Sequence, residues 1–434
     1  MLAMDCQRPP SAGARNSDEC FLHPDHRQAV ERSAAGQTVL PAAELSKVPE
    51  GCRPRALGAV PRLGLGSRTT ILGWPVIFRF LSCNGLYANA IQNSVARELM
   101  PLAALSASSA RESAYLPGLG AVEIGHTGST IEGLLHWGMR SAARAGYDGP
   151  GFGADADHLP TRQPGSEQWQ STLRLIHCSR GYSHFTLDVG ALIDWKKKPI
   201  ARIEGVPPAV KQAVGEISDA RAGKLFDLEI SLDESPEGVP PEAAATAAEE
   251  IAWLLGALAG EGVSPQYVAP HLGFTKGSDV EDLQRLGSSV GKLFRTAGER
   301  GVLLSVHSGD YLGSATRRVL GEACGGRLLF KVSPALQDLF ADAVLSGDPQ
   351  LAKRWSQWTL GYAKDHGVLF QPADELRIFR KFSFAAFGAR GEAGDFPMRK
   401  MLYGASASVT TEFEQKLKQY LQRLAEDLSM SRKE

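Results

Sequence analysis

The sequence has few cysteines, and none is spaced for joint use. The six are scattered along the chain: Cys6, Cys20, Cys52, Cys83, Cys178 and Cys324. They never form Cys-x-x-Cys, the spacing typical of redox motifs and zinc ribbons. We therefore expect neither a disulfide framework nor a cysteine zinc site, and reduced thiols indicate a cytoplasmic protein.

An excess of charge and a long apolar run are also missing. Lys and Arg number 47 against 48 Asp and Glu, so the formal net charge is -1. Nucleic acid and acidic membranes attract basic patches, so neither is an expected partner. Residues 70–83 are apolar but are interrupted by Pro75 and Arg79, which predicts a buried segment rather than a membrane span. The first twenty residues lack the apolar core of a secretory signal. The composition leaves both a monomer and a homo-oligomer open.

Glycine-rich nucleotide motifs are incomplete in this chain. RLGLGSR at residues 62–68 lacks a full G-x-G-x-x-G, and GSSVGKLF at residues 287–294 is one residue short of a phosphate loop. The second stretch also lies within a helical pattern. No nicotinamide or nucleotide cofactor is therefore expected.

What the chain does contain is a series of short apolar runs that alternate with helical patterns. Such alternation predicts parallel βαβ units, and 434 residues suit a barrel of about 250 residues with an extension. We predict a TIM-like (β/α)8 barrel, with room for decoration, as one domain over residues 61–434, ending in a helical extension. Residues 1–60 are rich in Pro, Ala, Gly and Ser and are predicted to be an irregular or disordered arm.

Several local patterns give narrower predictions. AIQNSVARELMPLAAL at residues 90–105 and the alanine-rich stretch from Pro240 to Gly260 predict helices, and KFSFAAFG at residues 381–388 predicts a strand. A strand carrying Glu123 is predicted before a helix at residues 131–146. The last helix is predicted to be capped by Thr410 or Thr411.

Three strand-like runs end on polar side chains. GFGADADHLP at residues 151–160 carries Asp155, Asp157 and His158, while QYVAPHLGF and GVLLSVHSGD lead into His271 and His307. Because the carboxyl ends of barrel strands form one active-site face, we expect these side chains to meet. Imidazoles beside carboxylates suit Zn²⁺, Mn²⁺ or a similar divalent metal ion. The alternative is that the histidines are ordinary buried polar residues and that Asp155 caps a loop.

Further strand ends carry Asp188, Glu229 and Lys331. Their position predicts that they line the same site and contact substrate. Pairing of each carboxylate with a lysine or arginine of the barrel is the alternative interpretation.

A set of motifs spread over roughly residues 62–428 resembles the tagaturonate epimerase family. In chain order the motifs are GADADHLP, HFTLDVG, APHLGFTKGSD, SVHSG, GGRLLFKVSPALQDLFADAV and FGARGEAGDFPMRKMLY. The resemblance implies a TIM-like barrel with a divalent metal at its mouth, a sugar acid or ketose as substrate, and interconversion of tagaturonate and fructuronate in hexuronate breakdown. Residues 1–60 and 69–86 depart from the family pattern.

The resemblance also implies roles for individual residues. His158, His271 and His307 correspond to metal ligands, Glu123 and either Asp155 or Asp157 to acid/base groups, and Lys276 and Lys331 to substrate anchors.

The chemistry of such an epimerisation limits the mechanism. The inverted carbon lies β to the ketone, so the carbonyl group does not acidify its hydrogen and simple enolisation cannot invert it. Retro-aldol cleavage with a metal-stabilised enediolate is the favoured route, ahead of nicotinamide oxidation, direct proton exchange and a lysine Schiff base. A metal-dependent aldolase or other sugar isomerase on the same barrel, and a noncatalytic sugar-binding relative, are the alternative functions.

Overall fold

Eight short parallel strands close into a barrel in the computed structural model, which describes residues 45–97, 113–116, 120–123, 131–236, 238–275, 278–389 and 397–430. The barrel strands are β1 (Arg62–Leu65), β2 (Ala88–Ser94), β5 (Phe152–Pro160), β6 (His184–Asp188), β7 (Asp227–Ser231), β8 (Tyr267–Ala269), β9 (Leu303–Val306) and β10 (Leu328–Val332). Their order around the barrel is β1-β10-β9-β8-β7-β6-β5-β2. The predicted TIM-like barrel is confirmed.

Helices follow the barrel strands and cover the outside of the barrel. The helices of eight or more residues are Trp74–Asn84, Ile131–Arg144, Trp169–Cys178, Val206–Ala220, Ala248–Gly260, Leu283–Gly298, Ser314–Ala323, Pro334–Gly347, Pro349–Asp365, Glu375–Phe382 and Ala407–Asp427. Shorter helices are Pro241–Ala244, Ala385–Gly388 and Pro397–Tyr403. No helix among the described residues is long and apolar enough to cross a membrane.

The strands bury both of their faces, but with different residue types. Outward-facing Leu63, Phe185 and Ile230 are fully buried and belong to the apolar core under the helices. The residues between them along the strands point into the barrel and are largely polar. Because side chains alternate faces along a strand, this pattern gives the barrel a polar interior.

Helices of the C-terminal extension pack on the barrel and on one another. Phe340 makes edge contacts with Phe413 at 5.2 Å between ring centroids and lies 5.9 Å from Trp355. The final helix contacts Pro334–Gly347 and Trp74–Asn84. It therefore joins the extension to the first helix of the barrel.

The predicted helix at residues 90–105 is wrong where the structure describes it. Residues Ala88–Ser94 form β2, which lies between β1 and β5 in the barrel. Pairing on both sides outweighs the helix propensity of this stretch. Residues 98–105 lie outside the described part of the chain.

Glu123 ends β4 (Gly120–Glu123), which is indeed a strand. It pairs antiparallel with β3 (Ser113–Leu116) in a separate two-stranded sheet rather than in the barrel. The side chain of Glu123 lies outside what the structure describes, so its acid/base role stays a prediction.

Three other local predictions need correction. The stretch from Pro240 to Gly260 is two helices, separated at residues 245–247. Residues 381–388 are helical rather than a strand, because Ile378, Phe379 and Phe382 form one buried helix face. The last helix is capped by Ser406, whose side chain accepts a hydrogen bond from the N–H of Val409, rather than by Thr410 or Thr411.

The amino-terminal ends of the barrel strands, here called the bottom, are closed by the segment before β1. The N–H groups of Leu57 and Gly58 each donate a 2.8 Å hydrogen bond to the carboxylate of Asp227. Arg62 pairs with the same carboxylate at 2.9 Å, and the hydroxyl of Tyr267 accepts from the N–H of Val60 at 3.0 Å. Residues 45–60 have no strand and little helix, yet they are tied to the barrel; residues 1–44 lie outside the described part.

Candidate active site at the carboxyl ends of the strands

Polar side chains fill the upper half of the barrel because three neighbouring strands alternate polar and apolar residues. On β6 the inward residues are His184, Thr186 and Asp188, and their apolar neighbours Phe185 and Leu187 face the helices. The strands β5 and β7 repeat the pattern. These side chains converge toward the carboxyl ends of the strands, here called the mouth.

An ammonium group occupies the centre of the barrel. The Nζ atom of Lys331 lies 2.9 Å from a carboxylate oxygen of Asp155, 2.9 Å from one of Asp157 and 3.0 Å from one of Glu229. It also donates to the hydroxyl of Thr186 at 2.8 Å. We call these five residues the lysine cluster. The ammonium of Lys331 has four oxygen partners in it.

Glu229 links the lysine cluster to two histidines. One of its oxygens lies 3.1 Å from Nε2 of His184, and the other lies 2.5 Å from Nε2 of His307. His307 therefore joins the buried interior to the mouth. Its Nδ1 atom lies 3.2 Å from a carboxylate oxygen of Asp233.

A second group lies at the mouth and contains no lysine. The ligand atoms of His158, Asp188 and Glu234 all lie within 4.8 Å of one another. The Nδ1 atom of His158 is 3.5 Å from Glu234 and 3.8 Å from Asp188. Their side chains are 23%, 18% and 37% exposed, so this histidine cluster is open to solvent.

Of the two groups of three ligand residues found in the described part of the chain, the histidine cluster is the one suited to receive a cation from outside. Asp155, His184 and Glu229 also bring three ligand atoms within 4.8 Å, but the ammonium of Lys331 already pairs with Asp155 and Glu229. An imidazole and two carboxylates are ligands that Zn²⁺ and Mn²⁺ accept. The residues therefore fit a divalent metal ion.

A second imidazole adjoins the histidine cluster. The ring of His307 lies 5.3 Å from that of His158. Its two nitrogens face the carboxylates of Glu229 and Asp233, at 2.5 and 3.2 Å.

Electrostatics keep the lysine cluster ionised. Burial raises the pKa of Asp157, but positive charge from His158 and Lys331 outweighs burial and holds this pKa well below its usual range. Burial also raises the pKa of Glu229, but the positive charges of Lys331 and His307 outweigh burial and hold this pKa well below its usual range. Burial lowers the pKa of Lys331, yet the surrounding carboxylates raise it well above its usual value.

At the mouth, burial and nearby carboxylates set the pKa values of Asp188 and His307. Burial and the neighbouring carboxylates raise the pKa of Asp188 despite its hydrogen bond to His158. Burial lowers the pKa of His307, but Asp233 and Glu229 outweigh burial and raise it to about 10. Neighbouring carboxylates thus raise both of these pKa values.

Backbone strain marks the same place. His158 lies within β5 at φ 51°, and Ser308, which follows His307, has φ 54°. Residues other than glycine rarely adopt this left-handed conformation, which costs about 1–3 kcal/mol and is concentrated at functional sites. The two strained residues are thus a histidine of the mouth and the residue that follows another.

Most of the predicted site residues come together in these two clusters. They are Asp155, Asp157, His158, Asp188, Glu229 and Lys331. His307 belongs to neither cluster but contacts Glu229. His271 lies at the carboxyl end of β8 and is 6% exposed, and its Nδ1 atom accepts the N–H of Gly273 at 3.1 Å. It belongs to neither group of three ligand residues, so its metal role stays a prediction. Lys276 lies outside the described residues.

Sequence reasoning missed five residues of the site, one of which is Thr186 of the lysine cluster. His184 shares the period-two pattern of β6 with Thr186 and Asp188, so the signal was present. Asp233 and Glu234 follow β7 in a loop without periodicity. Gln92 donates to Asp157 at 3.0 Å but lies in the strand that was interpreted as a helix.

Comparison with known proteins finds a match in fold alone. No protein-family model matches the chain, and no curated protein matches it. The structure of fructuronate-tagaturonate epimerase UxaE from Cohnella laeviribosi with one bound glycerol has a TM-score of 0.64 to this chain, at 18% identity, and the match covers 87% of this chain and 83% of that one. Its native form and its form with two glycerols give 0.63 with the same identity and coverage. The family resemblance drawn from the motifs is confirmed at the level of fold.

Proposed function

We propose that this protein is a divalent-metal-dependent epimerase of keto-uronates such as tagaturonate and fructuronate, or of related ketoses. The observation that carries the proposal is the open histidine cluster of His158, Asp188 and Glu234 directly beside the lysine cluster. The motif resemblance and the fold match to an epimerase of these two sugars agree with it.

Residues that would hold the metal are His158, Asp188 and Glu234, with His307 adjoining. When bound there, a divalent ion supplies Lewis-acid polarisation of a carbonyl oxygen and charge stabilisation. The protein's own groups supply binding, orientation and proton transfer.

Asp157 is the better placed of the two predicted aspartates to exchange a proton with substrate. Asp155 is fully buried. Asp157 lies one inward position nearer the mouth and is 5% exposed. Its low pKa keeps it ionised, and the Lys331 ammonium and the Gln92 amide hold its two oxygens in place.

These groups suit a retro-aldol inversion. The Asp157 carboxylate takes the proton of the hydroxyl on the inverted carbon, the adjoining C–C bond breaks, and an aldehyde and an enediolate form. The aldehyde turns its other face, the bond forms again, and Asp157 returns the proton to the new alkoxide. Lys331 stabilises the negative charge throughout, because its ammonium is fixed 2.9 Å from Asp157.

The experiment incubates the purified full chain with tagaturonate and with fructuronate in D2O, with and without a chelator, and follows both sugars by NMR. We expect interconversion that stops with chelator and resumes with Mn²⁺ or Zn²⁺, and no deuterium at the inverted carbon. Deuterium there would exclude retro-aldol cleavage. Accumulation of two three-carbon products would indicate an aldolase, and binding of either sugar without change would indicate a noncatalytic relative.

A further inference from the structure

The loops that carry the histidine cluster are held together by one arginine outside the site. Arg202 lies in the loop after β6, the strand that ends on Asp188, and is 6% exposed. Its Nη1 donates to the carbonyl of Ala243 and its Nη2 to that of Ala245, both at 3.0 Å. Those carbonyls belong to the segment after β7, which carries Glu234.

A buried carboxylate completes this arrangement. Glu250 accepts from Nε of Arg202 at 2.6 Å and from Nη2 at 2.8 Å, which is a bidentate pair. The same side chain accepts the N–H of Ala247 at 2.8 Å. Arg202 and Glu250 therefore hold the end of the helix Pro241–Ala244 and the extended break at residues 245–247 that follows it.

Thr246, which lies in that break, is also hydrogen-bonded to the loop after β8. The N–H of Thr246 donates to the carbonyl of His271 at 2.9 Å, and the N–H of His271 donates to the hydroxyl of Thr246 at 2.9 Å. Gly190, at the start of the loop that carries Arg202, packs directly on the carbonyl oxygen of Glu234. The loops of Asp188, Glu234 and His271 thus share one anchor.

The geometry points to Arg202 as a positioning residue for the metal centre, an inference that rests on the proposed function. Arg202 is not bonded to any residue of the histidine cluster in the described structure; from the loop that follows Asp188 it holds residues 243–245, which belong to the same connection as Glu234. Partners that orient metal ligands typically change metal affinity by about 10–100-fold when they are replaced.

The chain offers a matched control in Arg221. This arginine is 8% exposed and donates to the carbonyls of Arg180, Lys224 and Leu225 at 2.9, 3.2 and 3.0 Å. It also lies over an aromatic ring, as Arg202 does. Its contacts precede β6 and β7, so they belong to the bottom of the barrel.

The test titrates Mn²⁺ into the full-length wild type, Arg202→Met, Arg202→Lys and Arg221→Met by calorimetry. Amide hydrogen exchange of residues 189–205 and 232–247 is measured on the same samples. We expect the Arg202 variants to bind Mn²⁺ about 10–100-fold more weakly and to exchange faster in both loops, while Arg221→Met loses thermal stability and keeps wild-type affinity. If Arg202→Met does not fold, Arg202→Lys serves as the test variant, because lysine retains the charge and loses the bidentate geometry.

Wild-type affinity and wild-type exchange in the Arg202 variants would overturn the inference. If the wild type itself binds no Mn²⁺, the metal centre of the proposed function is wrong. Amide hydrogen exchange then remains as the test of whether Arg202 anchors the two loops. Faster exchange in both loops then supports its anchoring role, and unchanged exchange overturns it.

Discussion

At the bottom of the barrel, Arg62 and Asp227 form one buried ion pair, and two backbone N–H groups complete the hydrogen bonds of the carboxylate. At the mouth, the carboxylates of Asp188 and Glu234 converge on His158 without a lysine or arginine among their described ion pairs. Both ends are polar, but the ion pair at the bottom is closed and buried, whereas the side chains of the histidine cluster are 18–37% exposed. The comparison supports the proposal that the bottom stabilises the barrel while the mouth receives a cation and a substrate.

The largest expected effect is at the mouth. His158→Ala removes the imidazole of the histidine cluster, so we expect kcat/KM to fall by more than about 100-fold, since even indirect partners of a metal change its binding by 10–100-fold. His177→Ala is the control, because His177 is an exposed residue of a surface helix. Steady-state kinetics of both variants check this expectation; similar losses in both would show that the mouth histidine has no special role.

A variant at the bottom is expected to do the reverse. Asp227→Asn breaks a buried ion pair, which costs about 3–5 kcal/mol in the free energy of unfolding. We expect lower stability in denaturant titration together with a full metal content. Metal loss in this variant under native conditions would contradict the separation of the two ends.

A smaller effect is expected from Gly190→Ala. A Cβ at this position would collide with the carbonyl oxygen of Glu234, so the backbone of that ligand must shift and we expect about 10-fold weaker Mn²⁺ binding. Gly215→Ala is the matched control, since its Cβ would meet nothing within 4 Å in the middle of a helix. Calorimetric titration of both should show a change in the first alone.

The smallest effect concerns backbone strain. Ser308 and Ser429 have nearly equal φ values, 54° and 55°, and only Ser308 lies at the mouth. Replacing either by glycine relieves the left-handed strain and should raise the free energy of unfolding by about 0.5–1 kcal/mol. We expect Ser308→Gly alone to lower kcat, because it loosens the residue after His307. Equal activity in the two variants would show that the strain does not position the imidazole.

The barrel could be predicted from the sequence because its signals are local. Apolar runs that end on Asp157, His158 or His307 identify strand ends, and the barrel topology places strand ends together. The sequence does not reveal β2 because its Ala and Gln residues favour helix in isolation, and only pairing with β1 and β5 makes this stretch a strand.

The candidate site could be predicted only in part. The positions of Lys331, Asp155, Asp157 and Glu229 near strand ends identify them as site residues, but nothing in the sequence shows that these carboxylates pair with this lysine. Glu234 lies in an irregular loop whose place depends on Gly190 and Arg202. Contacts between distant loops set such positions, so no local spacing reveals them.

The central claim is that the histidine cluster holds a divalent cation, and metal content tests it most directly. The measurement is elemental analysis of the purified full chain, of His158→Ala and of Asp227→Asn after loading with Mn²⁺ and removal of excess. We predict one ion per chain in the wild type and in Asp227→Asn, and none in His158→Ala. An empty wild type, or an ion that persists without His158, would contradict the account.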